Sequence, residues 1–150
     1  MNSAIGEESE KITCSETSFK EIEATGCPYF PCFSENNHCF ENAVFSVMRE
    51  LCDSYDGGDW SFLKLSNGAW YMAPLDCESI FLKDGDGELH QMSGDGAGLA
   101  VTAYLVNHLS WMYQQEGQAD ESIAASNHFS KLRDFYLQHR DAAAIWKVLD

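Results

Sequence analysis

Trp60-Ser61-Phe62-Leu63-Lys64-Leu65-Ser66-Asn67-Gly68-Ala69-Trp70-Tyr71-Met72-Ala73-Pro74 reads as two strands folded back on each other. Residues 60–65 alternate as a half-buried strand does. Asn67-Gly68 suits the primed turns whose twist matches that of paired strands. Residues 69–73 form the return strand, and Pro74, which has no amide hydrogen to give a ladder, ends it. Beyond this hairpin, residues 79–83 read as a third strand and Asp84-Gly85-Asp86-Gly87 as a second turn. Residues 88–92 are a short fourth strand.

Helical patterns flank the strands. Over residues 37–53, Phe40, Val44, Val47, Met48 and Leu51 recur at helical spacing and make one apolar stripe. Asn36 or Asn37 is placed to cap this helix, and Tyr55-Asp56-Gly57-Gly58 stops it. After the strands, Ser93 is an N-cap with Asp95 in the first turn, where a negative charge suits the helix dipole. That helix runs to about Tyr113, apolar nearly all round, and so belongs in the centre of the domain. A third helix spans residues 120–138, and Asp141 caps a last short one. The order predicts a single α+β domain: a small antiparallel sheet of three to four strands with about four helices, packed mainly on one face. Residues 1–26, rich in Ser, Thr and Glu, read as a flexible N-terminal extension, and residues 27–150 as the folded unit.

Charge narrows the function. The 150 residues carry 24 acids against 9 Lys and Arg, a formal charge of −15. Binding phosphate needs cations, so direct nucleic-acid contact is not expected, nor attraction to an anionic membrane. The acids are spread along the chain and cluster in turns, where solvation explains them. A second reading is DNA mimicry, in which carboxylates imitate phosphates and occupy a DNA-binding enzyme. No basic, apolar leader and no long apolar stretch is visible, which predicts a cytoplasmic protein with its six cysteines reduced.

Several chemistries are weighed and set aside. Cys27, Cys32 and Cys39, with His38 adjacent, suggest a small zinc-binding module, but no C-x-x-C pair is present. No cysteine sits in a nucleophile motif beside a histidine. Asp84 to Asp95 fails the calcium-loop pattern twice, with Leu89 where glycine belongs and Asp95 where glutamate belongs. Ser93-Gly94-Asp95-Gly96-Ala97-Gly98 opens a helix but lacks the lysine of a phosphate loop. Close packing of helix on sheet explains those glycines better. The expectation is no catalytic residue, no metal and no cofactor.

The segments Glu41 to Cys52, Tyr55-Asp56-Gly57-Gly58, Trp60, Phe62, Leu65-Ser66-Asn67-Gly68 and Tyr71-Met72-Ala73-Pro74 resemble the ArdB/KlcA antirestriction family. The resemblance continues through Asp95 to Gly98, His128 to Asp134 and His139 to Asp150. It covers about residues 28–150 and departs from the family where Pro28 to Cys39 lacks Lys and Arg. It implies a protein of mobile elements such as plasmids that relieves Type I restriction without established catalytic residues. It also implies a protein partner, the restriction-modification complex or a host factor, met by a monomer or weak homodimer. Tyr55, Gly57, Gly58, Trp60, Ser66, Asn67, Gly68 and Tyr71 are the candidate interaction patch. The bland alternative is that the glycines and Asn67 only form turns and the aromatics only fill the core. Exposure of Trp60 and Tyr71 decides between the two.

Overall fold

The computed structural model describes residues 11–25 and 38–150. Its strands are β1 (Cys14–Thr17), β2 (Ser61–Leu65), β3 (Trp70–Ala73), β4 (Ile80–Lys83) and β5 (Leu89–Met92). Its helices are α1 (Phe19–Ala24), α2 (His38–Leu51), α3 (Gly94–Gln115), α4 (Ala119–Tyr136) and α5 (Ala142–Leu149). The α+β class and the single domain are as the sequence predicts. Among the described residues no helix is long and apolar enough to cross a membrane.

The strands divide differently from the expectation of one sheet. β1, β2 and β3 form an antiparallel sheet in that order, while β4 and β5 pair only with each other. β1 comes from the segment assigned to a flexible extension. Cys14 pairs with Leu65 and Thr17 with Phe62, so residues 11–25 are part of the fold. Ile22 of α1 is buried in the core. Residues 1–10 lie outside the described residues.

Helices seal the free edge of β3, so the sheet stops there. Thr102 of α3 accepts from the Met72 amide at 3.2 Å and lies 3.4 Å from its carbonyl. His128 of α4 donates through Nε2 to the Trp70 carbonyl at 2.8 Å. Two buried polar side chains therefore occupy backbone groups that another strand would have paired. Burial lowers the His128 pKa to about 4, so its ring is uncharged at neutral pH.

α3 lies close enough to β3 for this because its first two turns lack bulk. A methyl group at Gly98 would collide with the Met72 carbonyl and the Ala73 backbone. One at Gly94 would collide with the carbonyls of Pro74 and Cys77. The glycines are thus explained by packing, as expected from the sequence. The core gathers around this contact, with Tyr71, Met72, Leu99, Val101, Leu132 and Ile145 almost wholly buried. Each such large side chain contributes about 1.5–3 kcal/mol on leaving water.

Candidate functional site

Tyr71 begins the best-connected polar cluster of the described chain. β3 aims its ring inward, where it is fully buried. Its hydroxyl donates to Asp95 Oδ1 at 2.6 Å. Asp95 Oδ2 lies 2.9 Å from His139 Nε2. His139 Nδ1 accepts the Asp141 amide at 2.9 Å, which puts the ring proton on Nε2, facing Asp95. Asp141 Oδ2 accepts from Ser93 Oγ at 2.6 Å and from the Ser93 amide at 3.1 Å. Ser93 Oγ in turn accepts from the Gly96 amide at 3.0 Å and caps α3.

This arrangement corrects one expectation. Asp141 stands at the N-cap position of α5, but its side chain does not cap that helix. It reaches back to α3 and buttresses the Ser93 cap. A methyl at Gly96 would meet the Asp141 carboxylate, so that glycine keeps room for the buttress.

Electrostatics fit a structural cluster whose side chains bond one another, although Asp95 stays partly exposed. Burial tends to raise the Asp95 carboxyl, but hydrogen bonds from His139 and Tyr71 outweigh it and hold the group below its ordinary range. Burial and the neighbouring carboxylate drive the Tyr71 phenol far above its ordinary range, so it stays a donor. Cys14 Sγ lies 3.5 Å from the same phenol. Burial pushes its thiol up, the opposite of what a nucleophilic thiolate needs. Each polar side chain in the chain from Tyr71 to Ser93 thus holds another group of the fold in place.

The candidate patch does not form one surface. Ser66, Asn67 and Gly68 make the tip of the β2–β3 hairpin. Only Gly68 has positive φ there (95°), so this is not a primed turn, which would require Asn67 to be left-handed too. Leu65 accepts from the Gly68 amide at 3.0 Å and donates to the Ala69 carbonyl at 2.9 Å. The tip is a three-residue loop with a glycine bulge. Asn67 donates to the Lys131 carbonyl of α4 at 3.0 Å and accepts from the Ala69 amide at 3.1 Å. Ser66 exchanges backbone and side-chain hydrogen bonds with Thr13, just ahead of β1. These three residues brace the tip, and Tyr71 lies in the core.

Tyr55, Gly57, Gly58 and Trp60 sit at the other end of β2. A strand of that length sets them about 17 Å from the tip. Gly57 and Gly58 have φ of 103° and 127° with open space around them. Trp60 is half-buried, donating from its indole nitrogen to the Tyr55 hydroxyl at 3.2 Å and packing edge-on to Phe45. Of the eight candidates, Tyr55 and Trp60 are the aromatics left partly exposed, and both also pack against the core. The sequence missed the roles of His139 and Asp141, although it singled out Ser93 and Asp95 as a cap. The spacing His139-x-Asp141 was the available signal.

The described His, Cys, Asp and Glu side chains hold no group of three arranged for a metal ion. Cys27 and Cys32 lie outside the described residues, and so does the side chain of Cys39. Asp84 also has an internal task. Its Oδ1 accepts from the Asp86 and Glu88 amides at 2.8 and 3.0 Å, and its Oδ2 lies 2.8 Å from His90 Nε2. It shapes its own turn, and does not stand as one of a row of phosphate-like charges.

A three-stranded sheet sealed by a glycine-rich central helix and tied through a polar cluster places this chain in a class. It belongs to the antirestriction protein family, whose model matches residues 53–150. KlcA of Escherichia coli is 37% identical over 111 residues, covering 73% of this chain and 74% of that protein. YfjX of Escherichia coli strain K12 is 35% identical over 115 residues, covering 73% and 70%. A solved structure matches with a TM-score of 0.69 and 29% identity, covering 93% of this chain and 95% of its own. It is described as showing that KlcA and ArdB have a novel fold and antirestriction activity against Type I DNA restriction systems in vivo but not in vitro.

Proposed function

We propose that this chain relieves Type I DNA restriction without catalysis, by contact with a protein in the cytoplasm. One observation carries the reading. The related structure is tied to activity in vivo but not in vitro, as expected of a protein that works through a partner missing from the assay. The partner is then a host factor, or a state of the restriction complex found only in the cell. The polar cluster supports the same reading, since its side chains are engaged with one another. Among the described residues, no buried side-chain nitrogen or oxygen lacks a hydrogen-bond partner. Of the candidate patch, the Tyr55 to Trp60 loop is the part proposed for contact, and the hairpin tip and Tyr71 serve the fold. Unmodified phage plated on a host with a Type I system tests the function. Plating efficiency rises when the chain is expressed; an unchanged efficiency refutes the reading.

A further inference from the structure

Three depressions meet around Leu149 of α5. One, of 450 Å³, is lined by Glu50, Lys83, Asp84, Tyr104 and Asp150, among others. The next, of 210 Å³, includes Tyr104, His108, Trp111 and Phe129. The third, of 170 Å³, includes Phe129, Arg133, Tyr136 and Trp146. Tyr104 is shared by the first two and Phe129 by the last two, so they form one groove. Its middle carries Trp111, 59% exposed, and the third depression carries Trp146, 51% exposed. Large rings at that exposure, in neighbouring depressions, are what contact surfaces display.

One end of the groove is acidic. Lys83 is the base lining it, and Asp53 holds that ammonium at 2.9 Å. Asp84 is engaged in its own turn. Glu50 and Asp150 make no ion pair among the described residues, and Asp150 also borders the third depression, which Arg133 lines. Asp53 also heads the loop that carries Tyr55 and Trp60, so the acidic end adjoins that loop.

We propose that this groove docks an arginine-bearing segment of a partner protein, with an apolar side chain anchored on Trp111 and Phe129. A guanidinium stacks on the face of an aromatic ring and pairs with carboxylates, so it matches both parts of the groove. Arginine and aromatic groups dominate contact energies in interfaces generally. A second copy of the chain is a poor occupant, because two molecules of charge −15 repel. The proposal rests on the contact reading above and names the chemistry of the partner.

The probe is a fluorescent peptide of Arg, Leu and Ala, compared with its counterpart in which each Arg is Glu. The full chain binds the first and not the second. The pair Tyr104→Ser with Trp111→Ser weakens binding about tenfold or more, and so does Glu50→Gln with Asp150→Asn. The pair Asp120→Asn with Glu121→Gln removes equal charge elsewhere and leaves binding unchanged. All three doubles keep the wild-type melting temperature within a few degrees. Equal weakening by the third pair means general charge attraction and overturns the proposal, as does binding that no pair alters. A dimer in sedimentation that Trp111→Ser dissolves gives the groove to a second copy and also overturns it. Phage plating separates the two readings. If the wild type raises plating and the groove pairs raise it equally, the groove proposal falls alone. If the wild type does not raise plating yet binds the Arg peptide through the groove, the antirestriction reading falls alone.

Discussion

From Gly94 to Ala103, α3 is made mostly of small residues, with Leu99 and Val101 turned into the core, and is buried on nearly every side, whereas from Tyr104 onward it carries Tyr104, Trp111 and Met112 into solvent. The first half touches β3 through backbone-close contacts and ends in the polar cluster of Ser93, Asp95 and Asp141. The second half lines an open groove. One helix thus serves two purposes, and the residue sizes show where the change falls. Small residues mark where the fold admits no freedom. Large exposed aromatics mark where the fold asks for nothing and a partner can.

Breaking the first half should be costly, and the costs are graded. Gly98→Val drives a side chain into the β3 backbone, where no flexible neighbour can yield. It is expected to destabilise by about 3 kcal/mol or more, with melting lowered by roughly 10 °C or the protein insoluble. Circular dichroism and soluble yield check this; wild-type melting would mean that α3 and β3 are not in close contact.

Acid acts on the β3 edge beside it through His128 of α4. Its folded pKa is lowered to about 4 from 6.5, so between those values the unfolded chain binds a proton that the folded chain excludes. The stability it contributes is complete above about pH 6.5 and is lost as pH falls toward 4, about 3 kcal/mol in all. Asp95, whose folded pKa is lowered, acts in the same direction further down: its share is lost as pH falls through that lowered value. Urea melts from pH 7 to pH 4 read the slope, and His128→Gln should flatten it in the upper part of the window. A slope unchanged by that substitution would remove His128 from the edge seal.

Asp141→Ala takes away the acceptor for both the Ser93 amide and its hydroxyl. The expected loss is about 1–3 kcal/mol, or several degrees of melting. A shift as small as that of Asp120→Ala on the exposed start of α4 would show that the buttress adds nothing.

The same contrast governs how much was legible. The hairpin, the cap at Ser93 and the central helix follow from periodicity and capping over short stretches. β1 left no trace, because Cys14-Ser15-Glu16-Thr17 is polar and mostly exposed and joins the sheet through backbone bonds. The edge seal also escaped notice, since Thr102 and His128 stand 30 and 58 residues from the strand positions they satisfy. Treating β4 and β5 as part of one sheet followed from missing that seal. At the site, Tyr71 was marked as a contact aromatic. Its hydroxyl is taken by Asp95, 24 residues on, which no local pattern announces. The groove was invisible for a different reason: Trp111 sits at an apolar-looking helix position, and only packing shows that the helix turns it outward.

The central claim is that the polar cluster holds the fold and the activity resides in contact elsewhere. Tyr71→Phe tests it most directly, because it removes one hydroxyl and keeps the ring. Melting should fall by a few degrees, from the loss of about 1 kcal/mol, while phage plating at 25 °C stays at the wild-type level. Unchanged melting with plating lost would contradict the account and make the cluster the working site.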